Sequence, residues 1–533
     1  MQADCIPFQK TGYFSKLICD YLDEKESLKP FFNRFPKLEN FKGQLTEKLD
    51  NYNADHRIVL VDSLNDQYKG FEISDVTQSN ITLLKESTTF TVVTGHQLNL
   101  FTGPLYFLYK IISTINVCER LKARYPDYDF VPVYWMATED HDFDEINFFN
   151  FNGKKMQWNH DAKGAVGRLN TESLQKVYEV IDVQFGVTDN ANSLKTLFRK
   201  AYLEHANLTD ATRYLANQLF SEYGLVIVDG DDVDLKRLAI PFMQKDIFEQ
   251  LPFEEVSNTI KKLEKVSDAY KIQVNPREIN YFYLLNGLRE RIIEKNGIFK
   301  VNDTDITFSK EELQEELKNH PERFSPNVIA RPLYQEVILP NLCYIGGGGE
   351  LAYWLELKSY FEKMEVTFPM LLLRNSALIL SKKQYEKVEK LDLEIEDLFL
   401  KQPSLINKKV RKVSNISIDF TPQKELLEQQ FKDLYQMAQE TDRSFLGAVK
   451  AQEVKQKKGL DNLEKRLLKA QKYKLKDHVV RLTEVQNVLF PNQSLQERQL
   501  NFSELYLEYG TELIPALKAQ LDPLVSQFLA LRH

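Results

Sequence analysis

Short apolar runs that end in polar residues set the pattern of the first two thirds of the chain. Phe90-Thr91-Val92-Val93-Thr94 leads into Gly95-His96-Gln97 and then Leu98-Asn99-Leu100-Phe101-Thr102-Gly103-Pro104. A helix-like stretch over 105–122, rich in Leu, Ile, Tyr and Lys, separates it from Phe130-Val131-Pro132-Val133-Tyr134-Trp135-Met136-Ala137. That second run ends in Thr138-Glu139-Asp140-His141-Asp142-Phe143-Asp144-Glu145-Ile146-Asn147. Gly224 to Gly230 is a third such run, and Val366 to Leu373, followed by Arg374-Asn375-Ser376, is another. Apolar runs of this length, bounded by turn residues, predict buried parallel strands. The connection between the first two is long enough for a right-handed helical crossover. Ligands of open α/β sheets sit beyond the carboxyl ends of the strands. The polar clusters fall there, so chemistry is expected there.

Elsewhere the pattern is helical. Residues 1–89 read as amphipathic helices, with Ile58-Val59-Leu60-Val61 fitting a helix or a short strand equally. Residues 148–223 are polar and read as an insertion with a short β segment near Met156–Trp158. Residues 241–325 read as a second, with a strand at Asn280–Leu284 and Arg277, Arg289 and Arg291 on its polar face. Leu333–Pro340 is helix-like, and Tyr344-Ile345-Gly346-Gly347-Gly348-Gly349-Glu350 precedes an aromatic helix. From Ser381 Gly and Pro become scarce. Leu460, Leu463, Leu467 and Ala470, continued by Leu475, Val479 and Leu482, form a stripe that with Leu426-Leu427 to Met437 predicts a helical hairpin or antiparallel coiled coil. The stripe is either a dimer seam or a hairpin core. The expected organisation is an α/β core over 1–380, with insertions at about 148–223 and 241–325, and a helical domain over 381–533 whose last segment folds back on the core.

Composition narrows the class. With 43% hydrophobic and 27% charged residues the chain is globular, and 533 residues allow several domains. A net charge of −8 argues against wholesale nucleic-acid binding, while a local basic groove stays open. Cys5, Cys19, Cys118 and Cys343 are widely spaced and form no CxxC, which suggests neither a zinc site nor a disulfide framework and fits a reducing cytosol. No signal-like segment and no membrane-length apolar run stands out. A soluble cytoplasmic protein without membrane or nucleic-acid partners is expected.

Two loops carry the candidate chemistry. Gly95, His96, Gln97 and Asn99 offer donors and acceptors in one exposed turn, and Lys110 follows in the helix begun by Gly103-Pro104; the glycines alone also satisfy ordinary turn geometry. Glu139, Asp140, Asp142, Asp144 and Glu145 place five carboxylates within seven residues around His141. A substrate ammonium, a metal ion or a protonated His141 would relieve their repulsion, and one carboxylate could act as general base for an amine. Capping by Thr138 and first-turn acids explains two of the five. Asp229-Gly230-Asp231-Asp232 reads as a ribose or ammonium contact or as a solvated turn. Gly346 to Gly349 permit close backbone approach, but no Gly-Lys-Ser/Thr follows and no GxGxxG occurs after a strand.

These motifs resemble the bacillithiol biosynthesis cysteine-adding enzyme family. The resemblance lies in Thr94-Gly95-His96-Gln97 with Gly103-Pro104-Leu105-Tyr106 and Tyr109-Lys110, and in Pro132 to Asp142 with Glu145-Ile146-Asn147. It extends to Ser325-Pro326-Asn327 with Arg331-Pro332, Gly346 to Glu350 with Tyr353-Trp354, and Leu495-Gln496-Glu497-Arg498 with Asn501. It covers nearly the whole chain in order. His96 stands where many members are expected to have glutamine, and Gly348 where proline is expected. The resemblance implies a Rossmann-type parallel-sheet core with two connecting-peptide insertions and a C-terminal α-helical coiled coil that forms a homodimer. It also implies kinship with class I aminoacyl-tRNA synthetases, although no His-Ile-Gly-His and no Lys-Met-Ser-Lys-Ser is present. The implied function is a ligase adding L-cysteine to the glucosamine amine of glucosaminyl-malate in the last step of bacillithiol biosynthesis. Glu139, Asp140, His141 and Asp142 would be catalytic. Gly95, His96, Gln97, Asn99, Lys110 and Asn147 would bind substrate. Arg374, Ser376, Phe490, Gln496, Arg498 and Asn501 would line a nucleotide site; ATP or ADP is the candidate nucleotide, and no metal site is assigned. The rival readings are a synthetase-like nucleotidyl transferase acting on another amine and a non-catalytic nucleotide-binding coiled-coil dimer.

Overall fold

The computed structural model describes residues 2–532. The chain forms two compact units, one running to Leu378 and completed by Gln496–Leu531, the other built from Ile379–Leu495.

The first unit is organised by five strands, β1 (Thr89–His96), β2 (Asp129–Met136), β3 (Val226–Asp229), β4 (Asn341–Gly346) and β5 (Met370–Leu373). They pair in the order β5-β4-β1-β2-β3, and every pairing is parallel. Their near-continuous apolar runs are what a sheet covered on both faces requires, and β1 is buried at all eight positions. The register sets His96 beside Met136, Met136 beside Asp229, and Gly346 beside Leu373. The strand-end loops therefore share one edge. The chain runs outward from β1 to β3 and then returns to the other side of β1 as β4. This is the Rossmann-like arrangement, and its switch point lies between β1 and β4.

Helix α1 (Tyr106–Arg124) crosses from β1 to β2 and packs Val117, Cys118 and Leu121 against Val92, Phe130, Leu342 and Met370. Burying such side chains contributes about 1.5–3 kcal/mol each. Helices α2 (Val233–Glu249), α3 (Ala330–Ile338) and α4 (Gly348–Trp354) follow β3, precede β4 and follow β4 respectively. Between β2 and β3 lie the short helix Phe143–Ile146, a two-stranded hairpin, Phe148–Phe151 with Lys154–Gln157, and three longer α-helices. Between α2 and α3 lie two helices, Leu251–Val266 and Lys310–Asn319, and a five-stranded antiparallel sheet that includes Tyr281–Leu285, Leu288–Lys295 and Phe324–Pro326. Ile58 to Val61 resolves as helix, inside His56–Gln67.

The turn from β1 into α1 is strained. Phe101 and Thr102 have φ of 49° and 67°, and Gly103 has φ of 63°. A Cβ at Gly103 would lie 2.5 Å from Asn99 Cβ, so only glycine fits. The C-terminal segment braces the turn. Asn501 Nδ2 donates to Phe101 O at 2.8 Å and Gly103 O at 2.6 Å, and Leu105 N–H donates to Leu500 O at 2.7 Å. Asn501 Oδ1 also accepts from Ser503 N–H, capping the helix Phe502–Tyr509. Asn501→Ala leaves two buried carbonyls and a cap unmet, and is expected to cost about 3 kcal/mol in urea unfolding.

In the second unit α5 (Thr421–Gln439) and α6 (Arg443–Lys474) form a hairpin with Leu427, Phe431, Ala438 and Val449 at its core. Leu460 packs on this core, but Leu463 is 53% exposed and Met437 59%, so the predicted stripe is only partly the hairpin's own. Lys457 pairs with Glu428 at 2.8 Å, and Lys424 with Asp461 at 2.7 Å. These pairs give the charges on the two helices a structural role. Among the described residues no helix is long and apolar enough to cross a membrane.

Candidate functional site

A cavity of about 830 Å³ opens at the carboxyl edge of the sheet, within the first unit. The exits of β1, β2, β4 and β5 all reach it, and so do residues of the second insertion. It spans the β1/β4 switch point, where this topology leaves a crevice.

The two expected loops meet here. Gln97 Nε2 donates to Asp140 Oδ2 and to Glu145 Oε2, each at 2.9 Å. Asn99 Nδ2 donates to Glu145 O at 3.1 Å. Asp140 Oδ1 accepts from His141 N–H at 2.8 Å, which fixes the carboxylate across the loop. An Asp140 so held still faces the cavity, with its side chain 30% exposed.

The acidic run does not act as one cluster. Glu139, Asp140 and Glu145 line the cavity, whereas Asp142 and Asp144 are exposed and lie outside it. The short helix Phe143–Ile146 turns the chain and sends successive side chains in different directions. Asn147 is also away from the cavity, buried at the end of that helix, where its backbone carbonyl accepts from Trp158 N–H at 2.7 Å.

The cation that relieves the crowding at Glu139 belongs to the protein. Lys236 Nζ, fully buried on α2, donates to Glu139 Oε1 at 2.6 Å, Asp231 Oδ1 at 3.1 Å and Glu322 O at 3.1 Å. Arg168 then closes on Asp231 through two hydrogen bonds of 2.8 and 3.0 Å. Burial pushes Glu139 up to about 7, with Lys236 opposing the rise. The Asp229–Asp232 turn is therefore neither a ligand contact nor a solvated loop. Asp229 accepts from the Thr138 hydroxyl, Asp231 pairs with Lys236 and Arg168, and Asp232 caps α2.

His141 is held by Arg289, which is not a polar-face residue but 9% exposed and on the cavity wall. Its Nη1 lies 2.7 Å from His141 Nδ1, while its other nitrogens hold Ser325 Oγ at 3.0 Å and Pro326 O at 3.1 Å. An arginine cannot accept a hydrogen bond, so Nδ1 is the acceptor and the ring proton sits on Nε2. The 3.7 Å from His141 Nδ1 to Asp140 Oδ1 is longer than a hydrogen bond.

His96 ends β1 and is buried rather than exposed, packed against Tyr106 and Phe107. Burial, aided by the nearby Lys110 charge, holds its pKa well below the usual imidazole value, so the ring is neutral. Lys110 is itself buried, donating to Gly95 O at 2.6 Å and pairing with Glu350 at 2.8 Å. Burial works against the Glu350 charge, but Lys110, the Gly347 N–H and the Tyr344 hydroxyl together keep its pKa below the ordinary glutamate range. Glu350 thus holds the N-cap N–H of the glycine loop, with Gly347 and Gly349 on the cavity wall.

Residues implied to touch a nucleotide fall into different settings. Arg374 and Arg498 line the cavity and approach the Tyr106 ring at 4.8 and 6.0 Å. Ser376 Oγ is bonded to Glu497 Oε1 at 3.1 Å, Gln496 is buried, and Asn501 braces the strained turn. Phe490 ends the helix Lys476–Leu489 of the second unit, its ring 5.1 Å from that of Phe399.

Family models match nearly the whole chain. The family described as Bacillithiol biosynthesis BshC, N-terminal Rossmann-like domain, matches residues 1–375, and Bacillithiol biosynthesis BshC, C-terminal coiled-coil domain, matches residues 377–533. The chain belongs to the BshC family. One BshC family relative, named "Putative cysteine ligase BshC", from Flavobacterium johnsoniae, is 58% identical over 528 residues and covers 99% of both chains. Another of the same name, from Christiangramia forsetii, is 59% identical over 532 residues, covering 99% of this chain and 98% of its own. A solved structure titled as a putative arginyl-tRNA synthetase from Campylobacter jejuni has 10% identity and a TM-score of 0.22, covering 84% of this chain and 98% of its own, too low to bear on the BshC family fold.

Nothing local in the sequence gives Lys236, Arg289 or Arg331 its place in the site. Lys236 is followed by Arg237 and Arg289 shares its segment with Arg291, and only the tertiary fold sets Lys236, Arg289 and Arg331 beside an acid or a cavity. The acidic run is one signal, since its repulsion demands a cation without saying where in the chain it lies, and the Arg331-Pro332 motif is another.

Proposed function

We propose that this chain is a cytoplasmic cysteine ligase that joins the carboxyl of L-cysteine to the glucosamine amine of glucosaminyl-malate, the last step of bacillithiol biosynthesis. The observation that carries the reading is the divided charge of one cavity. Asp140 and Glu145 stand on the β2 side, tied to Gln97, and Lys110, Arg331, Arg374 and Arg498 stand towards β4 and β5. An amine with carboxylates a few bonds away fits that division.

In this reading Asp140 receives a proton from the substrate ammonium, freeing the nitrogen lone pair for attack on the activated cysteine carbonyl. A C–N bond forms, the bond from the carbonyl carbon to the activating group breaks, that group leaves with the electron pair, and the second surplus proton on nitrogen passes to solvent. Gln97 fixes the carboxylate that takes the proton. Glu139 is neutralised by Lys236 and shapes the wall, and His141, locked by Arg289, presents its Nε2–H. Holding both reactants in one crevice lowers the barrier through proximity. Two relatives named "Putative cysteine ligase BshC", at 58% and 59% identity along nearly the full chain, support the reaction class.

Deleting the gene tests the assignment. Thiol profiling is expected to show glucosaminyl-malate accumulating and bacillithiol missing, both reversed by the intact gene. Undiminished bacillithiol in the deletion strain would overturn it. The homodimer belongs to the same proposal, supported by exposed Leu426, Met437 and Leu463 on the hairpin. Sedimentation is expected to give twice the 62.3 kDa chain mass, and Leu463→Glu to shift it towards the single chain.

A further inference from the structure

Segment 267–280 has neither helix nor strand. It joins the helix Leu251–Val266 to the strand Tyr281–Leu285 and puts Gln273 and Val274 on the cavity wall. Both of its ends are pinned. Tyr270 is buried and its hydroxyl donates to Asp20 Oδ2 at 2.8 Å, and Asn280 N–H donates to Oδ1 of the buried Asp246 at 2.8 Å. The stretch between them is held by one side chain. Gln273 N–H donates to Glu356 Oε1 at 2.9 Å, and Val274 N–H reaches the same carboxyl. Among the described residues, the other hydrogen bonds of 271–279 stay inside the segment, such as Gln273 Nε2 to Lys271 O and Arg277 N–H to Asn280 Oδ1, each at 3.1 Å.

That single anchor is easily released. Glu356 is fully buried, two residues beyond the end of α4. Burial pushes its carboxyl up to about 7, and the two N–H groups of the segment, rather than a cation, pull it back. A carboxyl buried without a charge partner is unfavourable, and lifting the segment returns the acid and both N–H groups to water. Backbone that lacks a strand ladder and has so few ties opens at low cost. Gln273 also reaches over the glycine loop, where a Cβ on Gly349 would lie 4.0 Å from its Oε1. Opening therefore uncovers that corner of the cavity.

We infer that residues 271–279 are a lid on the cavity, hinged at Tyr270 and Asn280 and latched by Glu356, and that it shuts on the bound amine substrate. Lid and latch rest on geometry; the identity of what shuts the lid rests on the ligase reading. Glu356 is a positioning residue, acting through the backbone of Gln273 and Val274. A cover suits acyl transfer, because water also attacks an activated carbonyl and a lid closed over both reactants keeps it out.

Hydrogen exchange followed by mass spectrometry reads the latch. Glu356→Leu should speed exchange in 271–279 about tenfold, through loss of the hydrogen bonds to the carboxyl, and leave the five parallel strands unmoved. Glu356→Gln keeps an acceptor oxygen and should stay within about threefold of wild type. A thermal melt checks that both variants fold. Trypsin reads the lid in the unaltered protein, since Lys271 and Arg277 are exposed within it. Saturating glucosaminyl-malate should slow cleavage at both sites about tenfold, by drawing the population to the closed form. Exchange in 271–279 that is equal in wild type and Glu356→Leu would overturn the latch. Cleavage unslowed by glucosaminyl-malate, in protein that makes the amide, would overturn the lid. Cleavage unslowed in protein that makes no amide, with exchange still governed by Glu356, would overturn the ligase reading and leave the lid standing.

Discussion

Lys236→Met is expected to destabilise the first unit by about 3–5 kcal/mol, the usual consequence of removing one partner of a buried ion pair. Lys236 is fully buried and its ammonium is the shared donor to Glu139, Asp231 and Glu322 O. Asp231 retains Arg168, whereas Glu139 loses its one close cation at 2.6 Å. Urea unfolding at several pH values should expose the cause. Burial already holds Glu139 at about 7 in the native protein, above the roughly 4.3 of an unfolded glutamate. A carboxyl whose folded pKa is raised favours the native state below its unfolded pKa and loses that contribution as pH climbs through the folded one. Without Lys236 the folded pKa rises further. The deficit of the variant should therefore be smallest near pH 5 and largest near pH 8. Glu139→Gln added to Lys236→Met should recover much of the loss; a deficit independent of pH and of Glu139 would mean that packing, not charge, is responsible.

Asp140→Asn is expected to lower kcat by about 10³, within the range for removing a positioned acid–base group, while the melting temperature stays close to wild type. The stability half of this expectation follows from the contacts. The amide oxygen of the substituted side chain can still accept from His141 N–H, and Gln97 keeps Glu145 as an acceptor, so no buried group is stranded. The kinetic half follows from chemistry, because an amide cannot take the proton of an ammonium. Gln97→Ala should act in the same direction but more weakly, since it loosens Asp140 without removing it. Rates for the two single variants and the double variant would show whether Gln97 works through Asp140.

Much of the sheet was legible in the sequence because parallel strands covered on both faces leave continuous apolar runs. Phe90 to Thr94, Phe130 to Ala137 and Gly224 to Gly230 announce β1, β2 and β3 in that way. The strand ends were legible too, since glycine and carboxylates cluster there. Strand order was not, because nothing local to Asn341–Gly346 says that β4 lies beside β1 rather than beside β3. The division of labour within Glu139 to Glu145 was hidden for the same reason. It depends on Lys236, far along the chain, and on a single helical turn at Phe143–Ile146. His96 reads as exposed because it follows a glycine, yet the sheet continues one residue beyond that glycine and carries the ring inside. The hairpin stripe holds only in part: Leu460 packs inward and Leu463 does not, a distinction of helix face that an apolar count cannot make.

Everything turns on whether the cavity that unites Gln97, Asp140 and the arginines makes an amide. Purified protein, given L-cysteine, glucosaminyl-malate and ATP, should form the cysteinyl amide, identified by mass and by its free thiol, and should all but stop doing so when Asp140 becomes asparagine. Amide formed equally fast by the Asp140→Asn protein, or none formed by the wild type, would contradict it.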